Sequence, residues 1–133
     1  MINLKLEKTN LEDCFILSPK VFEDERGTFS ETFNAKKFLD QTGVAVAFVQ
    51  DNESTSKYGV VRGLHFQTGV HGQTKLVRVI KGSALDVVVD LRKGSPSFGK
   101  SFSIVLSGEN KKQLFVPRGF AHGFSVLEDD TVF

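Results

Sequence analysis

Residues 83–91, Ser83-Ala84-Leu85-Asp86-Val87-Val88-Val89-Asp90-Leu91, read as one β-strand. Leu85, Val87, Val89 and Leu91 fall on one side at a period of two, and Asp86, Val88 and Asp90 fall on the other. Valine-rich alternation of this kind suits a pleated, half-buried surface. The two carboxylates leave two readings open. Either they are solvated rim residues, or one of them orients a histidine, as supporting acids do.

Working outward, the same texture recurs. Upstream, Lys75–Ile80 is β-branched and stops at the turn signal Lys81-Gly82. Val60–Gln67 alternates Arg62, Leu64 and Phe66 against Gly63, His65 and Gln67, so His65 and Gln67 share a face. Val44–Val49 is a short apolar run, and Thr28–Phe33 carries Phe29 and Phe33 on one side. Downstream, Phe102, Ile104 and Leu106 alternate, and Gln113–Val116 runs into Pro117. Phe124–Leu127 and Thr131–Phe133 read as the last strands. One segment, Asn34–Thr42, reads as a helix: Asn34 is the N-cap, Phe38 and Leu39 form an apolar patch, and Gly43 ends it. Many short strands separated by Gly, Ser, Pro and Asn predict an all-β sandwich or jelly roll.

With 133 residues, the chain reads as a single domain over 1–133. Surface scaling buries about two-thirds of the unfolded surface at this size, enough for a core without staples. Lys+Arg 17 against Asp+Glu 16 leaves a net charge of +1, so no strong global attraction to nucleic acid or to an anionic membrane is expected. Cys14 is the single cysteine, which excludes an intrachain disulfide and multi-cysteine zinc sites; it reads as a small buried apolar residue. No apolar run approaches the ~20 residues of a membrane span, and the start MINLKLEKTN lacks an apolar signal core. A soluble, cytoplasmic protein is expected. The apolar strand Thr131-Val132-Phe133 ends flush with the chain, which predicts that a C-terminal portion of the domain is missing.

Three histidines can exchange protons near neutral pH. His65 lies in Arg62-Gly63-Leu64-His65-Phe66-Gln67, and His122 lies in Pro117-Arg118-Gly119-Phe120-Ala121-His122-Gly123-Phe124, where the glycines permit close approach of a ligand. His71 sits in a Gly-rich turn and reads as a solvated loop residue. Lys75 is either a snorkelling edge lysine or a cation for an enolate oxygen or a phosphate. Arg26 and Arg62 each precede a glycine, and either can fork onto a phosphate. Pro117-x-Gly119-x-x-His122 looks like the second half of the cupin metal motif. The first half would need His-x-His and a later Glu, but His65-x-Gln67 and Lys75 stand there. A protonated lysine opposes a metal ion, so no catalytic metal is expected.

Several longer stretches resemble the dTDP-4-dehydrorhamnose 3,5-epimerase family. They are Phe22-Glu23-Asp24-Glu25-Arg26-Gly27-Thr28-Phe29, Phe48-Val49-Gln50-Asp51-Asn52, Gly59-Val60-Val61-Arg62-Gly63-Leu64-His65-Phe66-Gln67 and Lys75-Leu76-Val77. Asp86-Val87-Val88-Val89-Asp90, Ser95-Pro96-Ser97-Phe98-Gly99 and Gly119-Phe120-Ala121-His122-Gly123-Phe124 continue the series in family order. The resemblance implies a cupin-type jelly roll, or double-stranded β-helix, in a homodimer. It implies a dTDP-keto-deoxysugar substrate, dTDP-4-dehydro-6-deoxy-D-glucose, inverted at C3 and C5 to dTDP-4-dehydro-L-rhamnose, for polysaccharide biosynthesis. No metal and no nucleotide cofactor are implied.

By the same resemblance, His65 is the base that takes the proton alpha to the C4 ketone, and Lys75 stabilises the enolate oxygen. His122 lines the sugar pocket. Arg26, Phe29, Glu31, Gln50, Asn52 and Arg62 bind the rest of the substrate, with Arg26 reaching from the partner subunit. The family's acid tyrosine and the aspartate that pairs with its base would both fall after Phe133, and Tyr58 does not match the tyrosine. A single-position epimerase on a related dTDP-keto sugar, and a sugar-nucleotide-binding fragment without turnover, stand as alternatives.

Overall fold

The computed structural model describes residues 4–133. Strand β8, the eighth in chain order, spans Ser83–Asp90, and its side chains alternate strictly between half-buried and buried. The buried face is the one that carries Ala84, Asp86, Val88 and Asp90. The rim reading of the two aspartates is therefore wrong: both are 0% exposed. The more apolar side, Leu85, Val87 and Val89, is only half-buried.

Seven strands and one helix precede β8: β1 (Leu4–Lys8), β2 (Phe15–Pro19), β3 (Phe22–Asp24), β4 (Gly27–Phe29), helix α1 (Ala35–Thr42), β5 (Thr55–Ser56), β6 (Val61–His65) and β7 (Lys75–Arg78). After it come β9 (Ser101–Ser107), β10 (Gln113–Val116), β11 (Phe120–Val126) and β12 (Thr131–Val132). One four-stranded sheet runs β1-β2-β10-β7 and a second runs β6-β11-β8-β9. Two short ribbons, β12-β5 and β3-β4, complete the described pairings, and every pairing is antiparallel. The sheets face each other in a jelly-roll sandwich, with strands close in sequence often lying in different sheets.

The interior is filled from both sheets. Val88, Leu106, Phe124 and Val126 of the second sheet share one apolar cluster with Leu114, Val116 and the neighbouring Val79 from the first sheet's side. Each fully buried Val or Leu contributes roughly 1.5–3 kcal/mol relative to an exposed one. Cys14 packs in the same cluster at 0% exposure, and burial pushes its thiol up to about 12, so it behaves as a small apolar residue. A second cluster joins Leu17 and Phe115 of the first sheet to Phe38 of α1. The helix forms as its ends predict: the Asn34 side chain accepts from the Lys37 N–H at 3.1 Å, and Gly43 closes it at φ 72°.

Two expected strands do not form as read. Of Thr28–Phe33, only Thr28 and Phe29 lie in strand β4; beyond it Phe33 turns in against Phe38 and Phe48. Val44–Val49 pairs with no strand, because Val44 and Val46 are taken up covering the Phe38 cluster. The strand at Val60–Gln67 is shorter, Val61–His65, and its alternation is interrupted. His122 pairs with His65 and Phe124 with Arg62, so β6 carries one residue more than β11 over that interval. Strands β1, β2, β3 and β5 are additions that the pattern reading does not assign. Among the described residues, no helix is long and apolar enough to cross a membrane.

Candidate active site

The extra residue in β6 is Gly63 or its neighbour, and the site depends on it. Gly63 has φ +100°, and a Cβ there would lie 2.6 Å from the His122 carbonyl oxygen and 2.8 Å from Gly123 Cα. Glycine alone permits both the backbone conformation and the close approach. Strand β6 thereby lies tight against β11, and His65 comes opposite His122 with ring centroids 6.5 Å apart at 72°.

The two histidines have different surroundings. His65 is exposed, whereas His122 is buried at 4%. On the far side of His122, β8 supplies Asp86, whose Oδ1 is 2.7 Å from His122 Nε2. An ionised carboxylate can only accept, so this contact makes Nε2 the protonated nitrogen of His122. The other oxygen, Asp86 Oδ2, is buried with no hydrogen-bond partner among the described residues. Phe133 stacks on Phe124 at 3.9 Å and 9°, with its centroid 6.0 Å from the His122 ring. The second histidine is thus held from below by a carboxylate and from the side by an aromatic pair.

Lys75 opens β7 across the sandwich and is half-buried. Burial pulls its pKa down, and the Asp86 charge opposes that. The His65 pKa is lowered by burial first, then by the charges of Lys75 and His122. The Asp86 carboxyl is pushed up by burial, against the hydrogen bond and charge of His122 and the charge of Lys75. His65, Lys75 and Asp86 are thus three shifted groups around His122. Clusters of shifted groups mark functional sites more often than chance. Just beyond His65, an open depression of about 190 Å³ is lined by Phe66, Gln67, Thr68, Leu91 and Arg118 among others.

The other residues singled out by resemblance divide into two sets. Arg62 shares β6 with His65, and its Nε and Nη2 donate to Ser56 Oγ at 3.2 and 3.0 Å. Gln50 and Asn52 are exposed and joined to each other, Gln50 Nε2 donating to Asn52 Oδ1 at 3.2 Å. Arg26, Phe29 and Glu31 lie elsewhere. Arg26 is exposed at the tip of the β3-β4 ribbon and donates to Asp24 at 2.6 Å; Phe29 is 70% exposed. Glu31 pairs with Lys37 at 2.7 Å. Among the described residues, no hydrogen bond or ion pair joins these three to His65, Lys75 or His122. His71 lies exposed in a short 3-10 turn, Gly69–His71.

Of the two readings left open for the aspartates, the one in which a carboxylate orients a histidine holds for Asp86, which is paired with His122, 36 positions away. Ser56 gave no signal beyond an ordinary serine. Neither reading of the aspartates anticipated the partners of Asp90: Ser95 and Ser97, in the loop that follows, each donate to Asp90 Oδ2 at 2.6 Å. Among the described residues, no group of three or more His, Cys, Asp or Glu side chains is placed to hold a metal ion.

Comparison with known proteins places the chain in one family. The family model for dTDP-4-dehydrorhamnose 3,5-epimerase matches residues 8–133. The chain is 55% identical over 126 residues to the dTDP-4-dehydrorhamnose 3,5-epimerase of Shigella flexneri, covering 95% of this chain and 70% of that protein. The crystal structure of the enzyme of that name from Elizabethkingia anophelis superposes with a TM-score of 0.93 at 57% identity, covering 98% of this chain and 71% of that one. The dTDP-6-deoxy-D-glucose-3,5-epimerase of Legionella pneumophila, solved in complex with dTDP-4-keto-L-rhamnose, superposes with a TM-score of 0.93 at 46% identity. That match covers 97% of this chain and 68% of the Legionella chain. Such neighbours share the cupin-type jelly roll seen here. A family match over nearly all of the chain, supported by relatives more than half identical to it, leaves one assignment: the chain belongs to the dTDP-4-dehydrorhamnose 3,5-epimerase family of isomerases.

Proposed function

We propose that this chain inverts C3 and C5 of dTDP-4-dehydro-6-deoxy-D-glucose with His65 as the base. The observation that carries the reading is the electrostatic setting of His65. It is exposed to a ligand, and burial with the charges of Lys75 and His122 keeps its imidazole below the ordinary histidine pKa. It therefore stands neutral near pH 7, the form that accepts a proton.

The chemistry asks for little else. The C–H bond alpha to the C4 ketone breaks, its proton goes to the His65 imidazole, and the electron pair moves onto the C4 oxygen as an enolate. A cation near that oxygen lowers the barrier by stabilising charge that exists only as the reaction proceeds. Lys75 is the cation suited to it, and Asp86 helps keep it charged despite partial burial. His122, held by Asp86, is suited to fixing the sugar through its remaining ring nitrogen. A donor on the opposite face, solvent water or the acid tyrosine that the resemblance places after Phe133, returns a proton to the carbon and inverts the centre, and the imidazolium of His65 gives its proton to solvent. Removal and return of a proton is redox-neutral, so the reaction needs no hydride carrier.

Arg62, Gln50 and Asn52 are assigned to the nucleotide diphosphate and base. Arg26, Phe29 and Glu31 are assigned to a neighbouring subunit's site, in a homodimer. Arg26 and Phe29 are exposed on a ribbon that, among the described residues, pairs only with itself, and Glu31 is exposed two residues beyond it, which supports that assignment. Metal-independent turnover in the cytoplasm completes the reading.

Proton NMR of the substrate in heavy water tests it. Deuterium is expected at both positions alpha to the ketone, and His65→Asn is expected to slow exchange about 10²–10⁴-fold. Exchange at one position only would assign a single-position epimerase. Binding of dTDP without exchange would assign a nucleotide-binding module.

A further inference from the structure

The arginines of this chain are held in different ways. Arg26 is paired with Asp24 at 2.6 Å, and Arg92 is paired with both Asp90 and Asp13 at 3.0 Å. Their charges are met by carboxylates. Arg62 has no carboxylate within ion-pair distance among the described residues. Its guanidinium is instead fixed along one edge by a neutral oxygen, Ser56 Oγ, which accepts from both Nε and Nη2.

Ser56 is well placed to hold something still. It is 6% exposed, it lies in β5, and β5 is pinned by β12, with Ser56 directly opposite Thr131. Thr131 is itself 1% exposed and donates to the Glu128 carbonyl at 2.7 Å. The backbone of Ser54 exchanges two hydrogen bonds with Phe133, whose ring packs beside His122. One short ribbon therefore braces the arginine on one side and the buried histidine on the other.

We propose that Ser56 is a positioning residue that orients the Arg62 fork without neutralising it, leaving its Nη1 edge and its full charge for a diphosphate. The inference rests on the reading that Arg62 grips the nucleotide. A carboxylate at position 56 would orient the fork equally well but would compete with the phosphate for its charge. A hydroxyl does the first without the second. Fixing a long side chain before binding also lowers the ordering cost paid when ligand arrives.

The test is a double-mutant cycle on the full 133-residue chain, read by calorimetric titration with dTDP. Ser56→Ala is expected to weaken dTDP binding about fivefold, the scale of ordering one long side chain on binding once its anchor is gone. Ser56→Thr, which keeps the hydroxyl, is expected to bind as the parent does. In an Arg62→Ala background, Ser56→Ala should cost no further affinity, because the group it orients is gone. An equal further loss in that background would show a merely structural role and overturn the proposal, as would unchanged affinity in Ser56→Ala alone. If Arg62→Ala leaves dTDP binding intact, or the parent chain does not bind dTDP, the nucleotide-grip reading itself falls, and the proposal with it.

Discussion

Asp86 and Asp90 stand four residues apart on the same face of the same strand, and both are 0% exposed. Their environments are opposite. Asp90 is saturated: its Oδ1 accepts from the Arg92 backbone N–H and Nε at 3.0 Å, and its Oδ2 accepts from Arg92 Nη2, Ser95 and Ser97. Burial pushes its pKa up, but those hydrogen bonds together outweigh it and hold the carboxyl well below the usual range. Asp86 makes one hydrogen bond, to His122, and burial leaves its carboxyl raised. A fully bonded buried carboxylate is a lock. A partly bonded one beside a histidine and a lysine has a charge state that its neighbours still influence, which suits a site.

The comparison breaks most readily at Asp90. Asp90→Ala removes the buried partner of Arg92, leaves Ser95 and Ser97 without their acceptor, and loosens a guanidinium that sits 4.9 Å over the Phe120 ring at the start of β11. A loss of about 3–5 kcal/mol in unfolding free energy is expected, measured by denaturant titration. A loss under about 1 kcal/mol would remove the distinction between the two aspartates.

Asp86→Asn should do the reverse. It keeps the size and one hydrogen bond while removing a buried charge. Stability is expected to change by less than about 1 kcal/mol, and kcat to fall about 10- to 100-fold through a misoriented His122. Wild-type turnover in this variant would make Asp86 as structural as Asp90.

The gentlest test is the pH profile. The base must be neutral, and His65 has its pKa lowered, so kcat/KM should rise with pH through a limb below the ordinary 6.5. Removing the Lys75 charge, as in Lys75→Gln, withdraws one cause of that lowering. The limb of the residual activity should then move upward, toward the ordinary value. A limb that stays put in the variant would mean that Lys75 does not reach His65 electrically.

Much of this molecule was legible from its residues in order. The helix was, because Asn34 and Gly43 act on backbone groups within one turn of themselves. So was strand β8, because a period of two is a local property of the chain. The glycine-flanked histidines and Lys75 were visible as chemistry, and the blocks around them carried the family. What the order of residues could not decide was which face of β8 turns inward. Leu85, Val87 and Val89 are the more apolar set, yet the interior took the aspartates. It could do so because Arg92, Ser95, Ser97 and His122 arrive to satisfy them, and a buried carboxylate is tolerated only with such partners. Those partners come from a loop and from another strand, as Ser56 of β5 comes to Arg62 of β6. Burial and pairing are set by segments meeting across the fold, so the roles of Asp86, Asp90 and Ser56 were settled only by the tertiary structure.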